Sequence, residues 1–210
     1  MLTLFDFDES PNCLKTKILL HELGIPYRAV PHTRAQLRDP DYRAKIPTGQ
    51  APAIQDDDLV LAESGAIAIY LGTKHGRFIP QDPTRRALMF QAMLIEASLL
   101  APTVGGQGLF GEIYKPEADQ NPARITELRE KAVRVGQILG QLLGDKLYFA
   151  EELSLADIQL YAATAKSLEG GVFGDAPPNL VQWCERMTAR PTVQAARQDY
   201  VHFRRRASAA

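Results

Sequence analysis

Residues 49–64 read GQAPAIQDDDLVLAES. Two short runs, Ala53–Gln55 and Leu59–Ala62, flank an acidic triplet, and this pattern is typical of a β-hairpin. Pro52 stands directly before the first run, where its missing N–H costs no ladder hydrogen bond, and X-Pro bonds adopt the cis form cheaply. We predict a cis Ala51–Pro52 bond, which would turn the backbone groups of Ala51 outward to pair with another extended peptide.

The hairpin leads into a helix start. Glu63 and Ser64 precede an apolar periodic run that begins at Ala66. Ser64 is predicted to be the N-cap, and the amides behind it carry a partial positive charge that can hold a carboxylate. The segment therefore predicts a backbone edge for a peptide and a socket for its carboxylate. An ordinary hairpin-to-helix connection would read the same way.

Composition and charge exclude several classes of protein. The 210 residues include 24 Lys plus Arg and 25 Asp plus Glu, so no charge imbalance indicates a nucleic-acid partner. The one basic run, Arg204–Arg206, is predicted to be a solvated tail. No apolar stretch is expected to span a bilayer, and the first residues are typical of a strand rather than a signal peptide. Cys13 and Cys184 have no metal-ligand spacing, so we expect a cytoplasmic protein without a metal or membrane partner.

The first third of the chain alternates strands and helices. The order is βαβ, a short helix, then ββα, which predicts a thioredoxin-like α/β domain. Ser10 is a predicted N-cap, Pro11 is predicted to open the first helix, and Gly24 is predicted to end it. The remaining predicted elements are strands at Leu2–Phe7 and Tyr27–Val30, a short helix at Asp41–Lys45, and a helix from Ser64 to about Gly76.

Only helical patterns follow the linker Phe78–Pro83. The capping box Ser154–Asp157 predicts the start of a helix with one apolar face. The other predicted helices are Arg85–Leu100, the apolar stripe Ile125–Leu142, Asn179–Ala189 and Thr192–Tyr200. We therefore predict a thioredoxin-like domain at 1–76, a linker at 77–84, and a helical bundle domain at 85–210.

This combination resembles the cytosolic glutathione transferases over nearly the whole chain. The matching motifs are Gln50-Ala51-Pro52, Glu63-Ser64, the Ser154–Asp157 capping box, and the pair Asp82-Pro83 and Arg190-Pro191-Thr192. The resemblance implies that glutathione is the co-substrate. It also implies that the cysteinyl part of glutathione pairs with the backbone beside Pro52. Glu63 and Ser64 are implied to bind the γ-glutamyl group of glutathione, and Gln50 is implied to belong to the same site. The protein is implied to be a homodimer.

The segment Ser10–Cys13 carries the predicted catalytic residues. The resemblance to serine-type enzymes implies that Ser10 donates to the glutathione thiol. Asn12 is a second candidate donor, and this segment also resembles that of bacterial nu-type enzymes, in which disulfide reduction accompanies or replaces conjugation. A hydroxyl and a helix start both favour a thiolate. Cys13 has two readings, a surface cysteine that forms a mixed disulfide with glutathione, or a buried small hydrophobe.

The remaining candidate residues are inferred from the positions that binding residues occupy in the family. Arg43 or Lys45 is implied to bind the glycyl carboxylate, although both are also compatible with solvated surface charge. Phe110 and Tyr114 follow a glycine-rich bend, Gly105–Gly108, and are implied to line the acceptor pocket. Core packing is the competing reading for Phe110.

The sequence therefore predicts a glutathione transferase that activates the glutathione thiol for attack on a small electrophile. Within enzymes, the alternatives are glutathione-dependent disulfide reduction, peroxidase activity and dehalogenation. An alternative of another class is a non-catalytic binding protein that kept the fold.

Overall fold

The computed structural model describes residues 1–198 and residue 200. The predicted tail Arg204–Arg206 lies outside the described residues. The chain divides into two compact units. Unit 1 contains Met1–Ile79 together with the chain from Thr188 onward, and unit 2 contains Pro80–Met187.

Unit 1 is built on a four-stranded sheet in the order β2-β1-β3-β4. The pair β1–β2 is parallel, as predicted from the βαβ pattern, and the pairs β1–β3 and β3–β4 are antiparallel. Parallel neighbours need a crossover connection, which a helix supplies here. The strands are β1 (Leu2–Asp6), β2 (Tyr27–Pro31), β3 (Ala53–Asp56) and β4 (Leu59–Ala62).

Three helices of unit 1 begin and end close to the predicted residues. They are α1 (Pro11–Leu23), α2 (Pro40–Lys45) and α3 (Ser64–His75). Gly24 and Gly76 end α1 and α3 at φ values of 67° and 62°, in the left-handed region that glycine adopts without a steric penalty. A 3₁₀ turn, Gln36–Arg38, precedes α2.

Unit 2 is helical, as predicted. Its helices are α4 (Pro83–Ile95), α5 (Ala101–Val104), α6 (Leu109–Ile113), α7 (Pro122–Leu143), α8 (Leu155–Glu169) and α9 (Pro178–Thr188), with a π-helical segment at Glu96–Leu100 and a 3₁₀ turn at Glu117–Asp119. The last residue of α9 falls in unit 1.

The central helix of unit 2 is α8. Its capping box is present as predicted, with Ser154 and Asp157 bonded reciprocally. The predicted single apolar face was wrong, because residues 155–167 are all buried whereas Leu168 is only partly buried. A helix enclosed on every side shows no narrow stripe, so the 3.6-residue period is a poor guide to its packing.

The last described helix, α10 (Pro191–Gln198), belongs to unit 1 rather than to the helical unit in which the predicted 85–210 domain placed it. Arg190 binds the buried Glu22 of α1 through two hydrogen bonds of 2.6 and 2.9 Å. Burial opposes ionisation of Glu22, but the Arg190 pair outweighs it and lowers the pKa of Glu22. The predicted helix end at Tyr200 includes Asp199, which lies outside the described residues.

One run of the described residues, Pro83–Ile113, is long and apolar enough by length and composition to cross a membrane. No such stretch was expected from the sequence. Within this run Met89, Met93 and Leu100 are buried in unit 2. A core helix of a protein that never enters a membrane passes the same test, so this run is weak evidence for a membrane span.

Candidate functional site

Three predicted binding segments meet at one end of the sheet. Phe5 of β1 and Ala62 of β4 both pair with Ala53, the first residue of β3. The end of β1, the start of β3 and the end of β4 therefore lie at the same end of the sheet. Phe7 and Ala51 pack, with Ala62, against a single buried cluster formed by Phe5, Leu37, Tyr42, Ile46 and Ala53.

Ser10 is the N-cap of α1, as predicted. Its Oγ accepts a hydrogen bond from the Cys13 N–H at 3.4 Å, and its own N–H donates to the Phe7 carbonyl at 2.9 Å. The side chain is only partly buried. Because the capping bond uses Oγ as an acceptor, the hydroxyl hydrogen remains able to donate to a sulfur.

Cys13 is buried, with 1% of its surface exposed. Its Sγ accepts a hydrogen bond from the Phe7 N–H at 3.3 Å. Burial, reinforced by the nearby negative charge of Asp6, raises the pKa of the Cys13 thiol far above its usual range. This geometry agrees with the buried-hydrophobe reading and gives no support to a surface thiolate.

Asn12 lies between these two residues and is partly buried. Its Oδ1 accepts a hydrogen bond from the Lys15 ammonium at 2.8 Å. The Asn12 amide group still has its N–H donors, so its role as a second donor stays a prediction that the geometry permits.

The Ala51–Pro52 bond is cis, which confirms the sequence prediction. The Tyr42 hydroxyl donates to the Gln50 carbonyl at 2.8 Å and fixes the residue that precedes this bond. Burial raises the pKa of Tyr42 to about 12, so the hydroxyl stays a donor at neutral pH. Sequence reasoning missed Tyr42, although it is the only aromatic residue of α2.

Glu63 adopts a φ of 72°, which non-glycine residues rarely adopt and which costs roughly 1–3 kcal/mol. The predicted N-cap was wrong by one residue, because Glu63 is the cap and Ser64 is the first helical residue. The Glu63 carbonyl accepts the first helical hydrogen bond, from the Ile67 N–H at 2.9 Å. The first N–H groups of a helix have no carbonyl acceptor one turn back, so the start of α3 is suited to bind an anion.

Arg43 and Lys45 both lie on α2 and are exposed. Of the two, only Arg43 is shown to lie close to Gly49, the residue before Gln50. A Cβ added to Gly49 would lie 2.8 Å from the Arg43 Nε, so the guanidinium crosses closely over Gly49. Gly49 has a φ of 61°, a backbone conformation that glycine adopts without a steric penalty. This placement favours Arg43 over Lys45 as the basic residue next to the cis bond.

Phe110 and Tyr114 both belong to unit 2. Their rings stack with centroids 5.8 Å apart, and Lys166 lies 4.3 Å from the Phe110 ring and 5.0 Å from the Tyr114 ring. Phe110 is 5% exposed whereas Tyr114 is 62% exposed. Phe110 thus packs in the core of unit 2, and Tyr114 is the residue of this pair that a substrate can reach. Their acceptor role stays a prediction.

The surface of unit 2 contains a cavity of about 510 Å³ near Glu112. Lys115 hydrogen-bonds to the Glu112 carboxylate at 2.8 Å and lowers its pKa, and the Asn121 N–H donates to the same group at 2.9 Å. These contacts give Glu112 a structural role in holding the loop before α7. Within residues 1–198 and residue 200, no group of three or more His, Cys, Asp or Glu could hold a metal ion.

Comparisons with known proteins match both halves of the chain. Residues 4–81 match the family model "Glutathione S-transferase, N-terminal domain", and residues 105–191 match "Glutathione S-transferase, C-terminal domain". The glutathione S-transferase-like protein gedE of Aspergillus terreus is 32% identical over 88% of this chain and 89% of its own length. Glutathione S-transferase GstB of Escherichia coli is 29% identical over 92% of this chain and 96% of its own length.

Two solved structures extend the likeness to three dimensions. A glutathione transferase family member from Pseudomonas fluorescens, with two glutathione bound, has a TM-score of 0.83 at 26% identity over 93% of this chain and 91% of its own. A glutathione transferase from Pseudomonas putida, with one glutathione disulfide bound per subunit, has a TM-score of 0.84 at 25% identity over 93% and 90%.

Proposed function

Since this chain belongs to the glutathione S-transferase family, we propose that unit 1 binds glutathione and activates its thiol for attack on a small electrophile. The proposal rests on one observation: the end of β1, the start of β3 and the end of β4 lie together at one end of the sheet. Phe7, which precedes Ser10, packs against the same buried cluster as Ala51 and Ala62. A rigid sheet holds the loops at its end in fixed positions relative to one another, and binding a tripeptide across several loops requires this.

The proposed chemistry is stabilisation of the glutathione thiolate. A free cysteine thiol has a pKa of about 8.5, so glutathione alone is mostly protonated at neutral pH. The Ser10 hydroxyl, held at the start of α1, donates a hydrogen bond to the sulfur. The helix start adds a partial positive charge. Both favour the thiolate, and holding the electrophile beside it removes the entropy cost of a bimolecular encounter.

We assign the rest of the peptide to the neighbouring segments. Among the described residues, the peptide groups of Ala51 take part in no backbone hydrogen bond, so they are open to the cysteinyl part of glutathione. Glu63 and Ser64 hold the γ-glutamyl group, and Gln50 belongs to the same site. Arg43 takes the glycyl carboxylate. The strained φ of Glu63 supports this assignment, because such strain clusters at functional sites.

Changing Ser64 to Ala is expected to weaken glutathione binding by about 1–2 kcal/mol, since a hydrogen bond to a charged carboxylate is lost. Isothermal titration calorimetry measures this directly. The matched control is Thr73→Ala, because Thr73 is exposed near the other end of the same helix. An unchanged affinity in Ser64→Ala would remove Ser64 from the site.

A panel of assays tests the reaction itself. Glutathione is supplied with a haloarene, an organic hydroperoxide or a mixed disulfide, and product formation is followed in each case. We expect turnover of the haloarene by conjugation. An enzyme that binds glutathione but acts on none of the three would favour a non-catalytic binding role and contradict the proposal.

Disulfide reduction is the second candidate. It is favoured by the likeness to the Pseudomonas putida protein, which holds a glutathione disulfide. The buried Cys13 does not take part in this reading, so the exchange would proceed through glutathione sulfurs alone. Turnover of the mixed disulfide with Cys13→Ala unimpaired would support it.

We further propose a cytoplasmic homodimer that detoxifies electrophiles. Support for the dimer comes from apolar side chains on β4 and α3 that unit 1 leaves partly exposed. Leu59, Val60 and Ile69 are 39%, 37% and 37% exposed. Covering apolar surface of this kind is a common reason for association.

A further inference from the structure

Lys15 occupies an unfavourable position for a cation. It lies on α1 close to the N-terminal end, with only 1% of its surface exposed. Taking an ammonium out of water is costly, and a positive charge near a helix N-terminus also opposes the helix dipole. A buried ammonium needs polar partners, and the Asn12 side chain is one of them.

The contact of Lys15 with Asn12 fixes an amide orientation. The Lys15 Nζ donates to Asn12 Oδ1 at 2.8 Å. An ammonium has three donors and no acceptor, so the oxygen of the amide must face it and the N–H bonds must point away. The Thr16 hydroxyl donates to the Asn12 carbonyl at 3.4 Å and secures the same residue.

We propose that Lys15 is a positioning residue, which holds Asn12 Oδ1 so that the Asn12 Nδ2–H bonds are presented, beside the Ser10 hydroxyl, to the glutathione sulfur. This inference rests on the proposed function, because it takes the sulfur to lie at Ser10. Lys15 is buried and acts through Asn12. Without it, the amide can turn over and present its oxygen, which repels a thiolate.

A double-mutant cycle tests the proposal. The variants are Lys15→Met, which removes the donor and keeps a long side chain, Asn12→Ala, and the double variant. We expect each single change to lower kcat/KM by about three- to tenfold and to raise the pKa of the bound glutathione thiol. The double variant should lie within about twofold of Asn12→Ala alone, because both changes remove one interaction. Lys15→Arg keeps a donor and should recover most of the activity.

Two results would overturn the inference. One is a double variant whose loss equals the product of the two single losses, since Lys15 would then act independently of Asn12. The other is an Asn12→Ala variant with an unchanged thiol titration, which is decisive even if Lys15→Met does not fold.

The thiol titration of the wild-type protein distinguishes a failure of the proposed function from a failure of this inference alone. A wild-type protein that does not lower the pKa of bound glutathione contradicts the proposed function and this inference together. A wild-type protein that does lower it, combined with independent losses in the cycle, contradicts only the role of Lys15.

Discussion

Replacing Ser10 by alanine is expected to lower kcat/KM for conjugation by about 10- to 100-fold. A hydrogen bond to a charged group contributes about 1.5–3 kcal/mol, and each 1.4 kcal/mol corresponds to about a tenfold change in rate. The interaction is made with the sulfur rather than with the ends of the peptide. The KM for glutathione should therefore change by less than about threefold. Steady-state kinetics with a haloarene, measured from about pH 6 to 9, gives both parameters.

Cys13→Ala is the matched comparison on the same turn of α1. Cys13 is buried and its thiol stays protonated, so we expect a pH–rate profile close to that of the wild type. If Cys13→Ala abolished turnover while Ser10→Ala was nearly silent, the enzyme would be a cysteine-type transferase. If Ser10→Ala lost only a fraction of the rate, a Ser10/Asn12 double variant would reveal a shared donor role and favour the nu-like reading.

Asp157→Ala is expected to destabilise unit 2 by about 3–5 kcal/mol. The carboxylate of Asp157 accepts hydrogen bonds from the Phe149 N–H at 3.1 Å, the Trp183 Nε1–H at 2.9 Å and the Ser154 N–H at 3.0 Å. All of these groups are buried, and each donor left unpaired costs about 1–3 kcal/mol. Chemical denaturation with far-ultraviolet circular dichroism measures the change.

The control for this prediction is Ser154→Ala, which removes a helix cap and the Ser154 Oγ donor to Asp157 but leaves the Asp157 acceptor and its three N–H donors in place. It should cost about 0.5–2 kcal/mol. A loss below about 1 kcal/mol in Asp157→Ala would mean that water replaces the carboxylate and that the buried network is not needed.

Asp157 also gives unit 2 a dependence on pH. Burial raises the pKa of Asp157 to about 6, against the hydrogen bonds that lower it, whereas an unfolded aspartate titrates near 3.9. The folded state therefore holds the proton to higher pH, so the free energy of unfolding should fall as pH rises from about 4 to 6. In Asp157→Asn this contribution should be absent.

Signals within a few residues predicted much of the fold. Ser10 and Pro11 at the start of α1, the left-handed Gly24 and the capping box at Ser154 are each decided by local backbone chemistry. The parallel β1–β2 pair follows from a short βαβ connection. These features can be predicted without information about the rest of the chain.

Features that depend on distant contacts were not predictable in this way. Arg190 pairs with Glu22, which lies 168 positions earlier in the sequence. Both residues belong to unit 1, as does α10, which begins directly after Arg190. The enclosure of α8 on all sides is likewise set by neighbouring helices rather than by its own period. Tyr42 was missed because its hydroxyl acts on the backbone of Gln50, eight residues away.

The candidate site shows the same division. The pattern predicted the cis Ala51–Pro52 bond and a helix start at Glu63-Ser64, but not the positive φ of Glu63. A glutamate gives no sequence signal for that conformation, since its side chain disfavours it. Burial of Cys13 could not be decided from the sequence either, because a small residue on the first turn of a helix is compatible with both faces.

The central claim is that Ser10 stabilises the thiolate of bound glutathione. Ultraviolet absorbance titration of the thiolate in the binary complex tests it most directly, with wild type and Ser10→Ala compared at saturating glutathione. The wild-type complex is expected to titrate at least about one pH unit below free glutathione, and Ser10→Ala should lose most of that shift. Identical thiol titrations in the two complexes would contradict the account.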